Sequence, residues 1–301
     1  MKKFIVRLII ALGLAAAVTA LFYLILLVTH TNLNINFLGD EVLYVTRKAE
    51  VNSGCSKVII GDSVANQLWP QETSGDDICY MTSNQAITAA GDYLLLYHYL
   101  ESNPQTKEVY LALRPQSLSN DINIDKSFQY FVIPFANSGN AKLLDTDTRT
   151  KLDSRFGKFW INSKYAQWTL LNNNFLLSEY LKTVEKKNPD LVINDDDSTN
   201  RYYHRISPTG QIYLEKIIEL CDSKNIKLSV VPSPLMDTAD NYGWEGYSED
   251  IEAFGFDEVL GSYLDSVDYY PEEMFMDGIH FSESALKENR EAIANKIIPV
   301  N

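Results

Sequence analysis

The sequence predicts an α/β domain, a parallel sheet covered by helices on both faces, carried behind one membrane-spanning segment. Three observations point there. Short apolar runs that end in glycine or proline alternate with stretches of helical spacing. Strands that alternate with helices imply a parallel sheet buried on both sides. Ahead of them, Leu8 to Val28 contains no charged residue.

That uncharged run is about 21 residues, or about 31 Å as a helix, enough to cross the hydrocarbon core. Lys2, Lys3 and Arg7 precede it. By the positive-inside rule the basic flank stays in the cytoplasm and the remainder lies outside. A cleaved signal peptide is the competing reading. Such peptides have a shorter apolar region ending at small residues. Here Ala15, Ala16, Ala17 and Ala20 lie mid-run, and Phe22 to Val28 continues apolar. The expectation is an uncleaved single-pass anchor over residues 1–30, a stalk and lead-in segment over 31–56, and an extracytoplasmic domain over 57–301.

The elements of that domain follow in order. Lys57 to Ile60 is an apolar strand closed by Gly61, and Val64 to Trp69 can form a short helix. Ile78 to Thr82 is a second strand, and Ala86 to Leu100 has helical spacing of Ile87, Tyr93, Leu94 and Tyr97. Glu108 to Leu113 is a third strand, stopped by Pro115. Residues 116–204 break the rhythm, being rich in Asn, Asp, Ser and aromatics. They read as an insertion, with Tyr165 to Val184 helical and Asn194 to Asn200 a polar loop. The alternation resumes with a helix at Thr209 to Ser223, a strand at Ile226 to Val231 and a last short strand at Val267 to Tyr270. Ser282 to Ile298 forms a closing helix that Ser282 can cap.

Composition narrows the function. With 46% hydrophobic and 22% charged residues among 301, the chain is globular in type. A formal net charge of −14 repels phosphate backbones, so nucleic acid is not expected as a partner. The acidity suits a neutral or cationic substrate, or it only keeps the domain soluble. Three cysteines are too few for a disulfide scaffold. Cys55 and Cys79 precede or begin neighbouring strands, which allows a bridge but equally two free half-buried thiols. Cys221 reads as core.

The chemistry gathers at two places. Gly61-Asp62-Ser63 ends the first strand and opens a helix. Such a turn exposes a hydroxyl, and the helix start aims a free N–H at a developing oxyanion. A serine needs a base to attack at neutral pH. The candidate is His280, in Asp277-Gly278-Ile279-His280 after the last strand. Asp277 can fold back onto Nδ1, fix the tautomer and stabilise the imidazolium that forms. The predicted triad is therefore Ser63, His280 and Asp277. Ligands lie beyond the carboxyl ends of strands in such sheets, and both segments fall there.

These residues resemble a family. Val58-Ile59-Ile60-Gly61-Asp62-Ser63 is similar to the first signature block of the SGNH (GDSL-type) hydrolases, and Asp277-Gly278-Ile279-His280-Phe281 to their last. The resemblance implies a flavodoxin-like three-layer α/β/α fold and acyl-ester chemistry. The middle blocks depart from it. Where the family places an oxyanion-hole glycine, this chain has Ser83-Asn84-Gln85. Where it places an asparagine, the chain has Leu113-Arg114-Pro115-Gln116. Asn84 becomes a substitute oxyanion donor or a helix cap, and Arg114 a pocket residue or an ion-pair partner. An anchored, external domain of this type is similar to proteins that complete acyl transfer onto envelope polymers, as in teichoic acid D-alanylation and alginate O-acetylation. That similarity implies an envelope polysaccharide as acceptor and a multi-pass membrane acyltransferase as partner; no cofactor is expected. The alternative is a catalytically inactive binding or assembly subunit of an envelope-modification complex.

Other residues carry plainer expectations. His98 reads as structural, His204 as surface and His30 as a neighbour of the anchor. No His, Cys and Asp set has zinc spacing, so no metal is expected. Asp195, Asp196 and Asp197 lack a calcium-loop pattern and read as a solvated turn. Trp160, Tyr165, Trp168 and Asn172 to Asn174 form either a carbohydrate-facing wall or the core of the insertion.

Overall fold

The computed structural model describes residues 2–29, 39–84, 86, 88–119, 141–150, 205–237 and 244–299. Most of the 116–204 insertion, with the aromatic and acidic residues singled out there, lies outside the described residues, as do His30 and His204.

Helix α1 (Lys2–Thr29) contains the uncharged run. Its described side chains stand exposed, and it is long and apolar enough to cross a membrane, a test that a signal sequence also passes. The stretch read as a stalk holds a helix, α2 (Gly39–Ala49), packed on the domain. Val45 and Ala49, four apart and so on one face, are fully buried.

Four parallel strands follow: β1 (Lys57–Gly61), β2 (Ile78–Thr82), β3 (Glu108–Leu113) and β4 (Lys227–Pro232). Their order in the sheet is β2-β1-β3-β4, the flavodoxin-like arrangement. β1 is central because it is apolar on both faces. Val58 and Ile60 point to one core and Ile59 to the other, all fully buried. Full burial of each such side chain stabilises by about 1.5–3 kcal/mol.

The helices divide between the two faces. α3 (Ser63–Leu68) and the last helix pack beside Ile59 and Ala112. α4 (Ala89–Ser102), α5 (Pro115–Ser119) and α6 (Pro208–Ser223) pack on the other side with α2. Proline at the start of α6 follows a Ser207 cap that accepts from Gly210 N–H at 2.9 Å.

The region after β4 departs from expectation. A two-residue strand, β5 (Leu235–Met236), precedes helices α7 (Glu245–Phe254) and α8 (Asp257–Leu260). The expected last strand is reduced to β6 (Tyr269–Tyr270), which pairs with β5 in a separate two-stranded sheet. A tight 3-10 turn at Leu264–Ser266 delays its start. Helix α9 (Glu283–Ile297) is capped by Ser282, whose hydroxyl accepts from Ala285 N–H. Cys55, Cys79 and Cys221 are all free and buried.

Candidate active site

Gly61 is the last residue of β1, and α3 begins two residues later. A Cβ at Gly61 would lie 2.4 Å from the Ala112 carbonyl oxygen and 2.5 Å from Ala65 Cβ. Only glycine lets the chain turn so closely over β3. Asp62, 2% exposed, then caps the helix. Its Oδ1 accepts from Val64 N–H at 3.0 Å and Ala65 N–H at 3.2 Å. Its Oδ2 accepts from Arg114 N–H at 3.2 Å and Ser117 Oγ at 3.0 Å. One carboxylate thus ties the turn carrying Ser63 to the end of β3. The cap engages the N–H groups of Val64 and Ala65 and leaves that of Ser63 uncapped.

From the other end of the sequence comes the loop between β6 and α9. Gly278 has φ of +76°, a left-handed conformation that costs other residues about 1–2 kcal/mol. The turn it makes lets Asp277 reach back over its own chain. Asp277 Oδ1 accepts from Ile279 N–H at 3.0 Å and His280 N–H at 2.7 Å, while Oδ2 lies 2.8 Å from His280 Nδ1. Partial burial pushes this carboxyl up, but the bonds from the His280 N–H, the imidazole and the Ile279 N–H outweigh it and hold the group below its ordinary range. His280 Nε2 lies 2.8 Å from Ser63 Oγ. Across 217 positions of sequence, the structure brings Ser63, His280 and Asp277 into one continuous hydrogen-bonded line.

Such a line can move a proton. With Asp277 accepting from Nδ1–H, Nε2 carries the lone pair that faces the serine hydroxyl. The three cysteines are buried away from this line. Burial raises the Cys79 thiol and pushes Cys221 up to about 12.

The two other predicted site residues sit differently. Asn84 is exposed in the turn after β2 and does not cap α4; Thr88 does, accepting from Gly91 N–H at 3.3 Å. Arg114 is half-buried at the end of β3. Its main chain serves Asp62, its buried Nε has no hydrogen-bond partner, and no carboxylate among the described residues pairs with it. The turn around it is braced from beneath by Tyr263, whose hydroxyl donates to the Leu113 carbonyl at 2.8 Å, and by Tyr247, which donates to that of Pro115. His98 lies half-buried on α4, edge-on to Tyr97, and burial lowers its imidazole pKa.

Sequence reading passed over Asp62. The signal was present, since an aspartate just before a helix start is a preferred cap. What sequence did not carry was its second pair of bonds, to β3 and α5.

No protein-family model and no curated protein sequence matches the chain. Among solved structures, one assigned provisionally as a platelet activating factor from Streptococcus pneumonia aligns at 12% identity with a TM-score of 0.38. The alignment covers 94% of this chain and 96% of that chain. A likeness at that level carries no argument about activity.

Proposed function

We propose that the chain is an SGNH-type serine acyltransferase or esterase, anchored by α1 with its domain outside the membrane. Ser63 is the nucleophile, His280 the general base and then acid, and Asp277 the group that orients the imidazole. The observation that carries this reading is the pair of 2.8 Å contacts from His280, one to Ser63 Oγ and one to Asp277 Oδ2.

In the first half-reaction Ser63 Oγ attacks the acyl carbonyl carbon and its proton passes to Nε2 of His280. The oxyanion develops beside the uncapped Ser63 N–H. Collapse expels the leaving alcohol, which takes the proton from His280 and leaves an acyl ester on Ser63. An acceptor hydroxyl then gives its proton to Nε2 of His280 as its oxygen bonds the acyl carbon, and collapse breaks the bond to Ser63 Oγ, which takes that proton back from His280. With water as acceptor the result is hydrolysis; with a sugar hydroxyl it is transfer. The proposed donor group is acetyl and the proposed acceptor a cell-envelope polysaccharide, with a multi-pass membrane acyltransferase supplying the activated acyl group. The span-length α1 and the residue blocks at 58–63 and 277–281 support this.

The test uses the full chain in detergent with p-nitrophenyl acetate, with and without an oligosaccharide acceptor. The parent should release nitrophenol and acetylate the sugar, and Ser63→Ala should lose at least about 10³-fold in rate. Equal rates for the two would overturn the assignment of Ser63. Release to water with no acylated sugar would leave an esterase and reject transfer.

A further inference from the structure

Ser63 and Gln67 are four apart on α3 and so share one face, a single turn from each other. Ser63 meets His280, and Gln67 meets Phe281, the next residue in the chain. Gln67 Nε2 donates to the Phe281 carbonyl at 3.0 Å, and Phe281 N–H donates to Gln67 Oε1 at 2.9 Å. Both halves of the amide are used, each against the main-chain group that a neighbouring strand would satisfy. A flipped amide would lose both bonds.

The rest of the 274–282 loop is bonded mainly to itself. Met276 N–H donates to the His280 carbonyl at 2.9 Å, Ser282 N–H donates to that of Met274 at 2.8 Å, and Phe275 forms a bridge with Phe281. Below, the Phe281 ring is 1% exposed, stacked on Phe275 at 4.6 Å and edge-on to Tyr270 at 5.6 Å. Among the described residues, Gln67 makes the hydrogen bonds that join this loop's main chain to α3. The other polar link between the two is the Ser63–His280 contact, which must break and reform in each turnover.

We propose that Gln67 is a positioning residue, which holds the loop so that His280 stays within reach of Ser63 while that contact is broken. The inference rests on the acyl-transfer reading above. Its chemistry is geometric: a base displaced by about 1 Å loses about 10²-fold in rate, even when substrate still binds.

The experiment measures p-nitrophenyl acetate turnover by the full chain in detergent, per folded molecule as judged by thermal unfolding. It compares the parent with Gln67→Leu, Gln67→Glu and Ser63→Ala. Gln67→Leu removes both bonds and should lower kcat by about 10- to 100-fold with KM within about 2-fold. Gln67→Glu keeps the acceptor for Phe281 N–H but sets a carboxylate oxygen against the Phe281 carbonyl. Protonation turns that oxygen into a donor, so the ratio of variant to parent kcat should rise as pH falls from about 8 toward about 5. A purely structural role would leave that ratio flat. Unchanged kcat per folded Gln67→Leu, with the parent still dependent on Ser63, overturns the role of Gln67 alone. Parent activity equal to that of Ser63→Ala overturns the acyl-transfer reading, and the role of Gln67 with it.

Discussion

Replacing Asp62 by asparagine exchanges one oxygen for an NH2 group and changes little else in size. The parent carboxylate is 2% exposed and accepts four hydrogen bonds, two on each oxygen. An asparagine keeps one acceptor. If its oxygen faces α3, the NH2 group confronts the Arg114 N–H, while the Ser117 hydroxyl can rotate and accept. If the amide is reversed, the N–H groups of Val64 and Ala65 both lose their partner. The first orientation is cheaper and leaves one buried main-chain donor unpaired, at about 1–3 kcal/mol. Taking about 2 kcal/mol and a urea m-value of about 3 kcal/mol/M, the unfolding midpoint should fall by about 0.7 M. Tryptophan fluorescence of the full chain in detergent, followed through a urea series, measures it. The same change loosens the turn that presents Ser63, so turnover per folded molecule should fall as well. A midpoint and rate both unchanged would refute the reasoning, because the four donors would then not depend on the carboxylate.

Other outcomes follow from the same structure. Gly61→Ala drives a methyl group against the Ala112 carbonyl at 2.4 Å and Ala65 Cβ at 2.5 Å, and should cost about 1–3 kcal/mol or more in the same urea assay. Asp92 is fully buried with neither carboxyl oxygen hydrogen-bonded, and burial followed by the charge of Asp62 raises its pKa well above 3.8. A raised carboxyl favours folding only below its unfolded pKa, and that advantage is lost as pH rises toward the folded value. Asp92→Asn should therefore stabilise the protein at pH 8, and the gain should vanish near pH 4. Thermal melts of both proteins across that range check the sign.

Much of the fold was readable because it is written in local patterns. Val58-Ile59-Ile60 is apolar at every position, as a strand buried on both faces must be, and Gly61 and Pro232 mark strand ends. The approach of His280 to Ser63 was legible because Gly61-Asp62-Ser63 ends β1 and Asp277-Gly278-Ile279-His280 follows the last short strand. The misses are of another kind. Helix α2, within the stalk and lead-in segment, does not register in the sequence because it is short and mixed in character beside the anchor, although Val45 and Ala49 recur at helical spacing. β5 and β6 are two residues each, too short for any alternation to register. The second pair of bonds at Asp62 spans 52 and 55 positions, and the bonds of Gln67 span 214. A polar side chain bonded to distant main chain leaves no periodic trace.

These braces matter because the proposed triad is not deeply buried. The side chains of His280 and Asp277 are 27% and 47% exposed. Solvent screens charge attraction there, so an ion pair between them contributes little to holding the imidazole. Main-chain bonding does that instead. Asp277 gives one oxygen to the N–H groups of its own loop and the other to His280, so the carboxylate is fixed before it orients the ring. Asp62 does the same for the serine from the opposite end of the sequence. The exposure has a chemical consequence for the proposed reaction. An imidazole this open can meet a hydroxyl carried on a polymer, as the proposed acceptor requires, but it also meets water. Transfer then outruns hydrolysis only if the acceptor is held beside Ser63 at an effective concentration well above its own in solution. On the proposed transfer reading, specificity would come from acceptor binding around the triad, because the triad serves both outcomes alike.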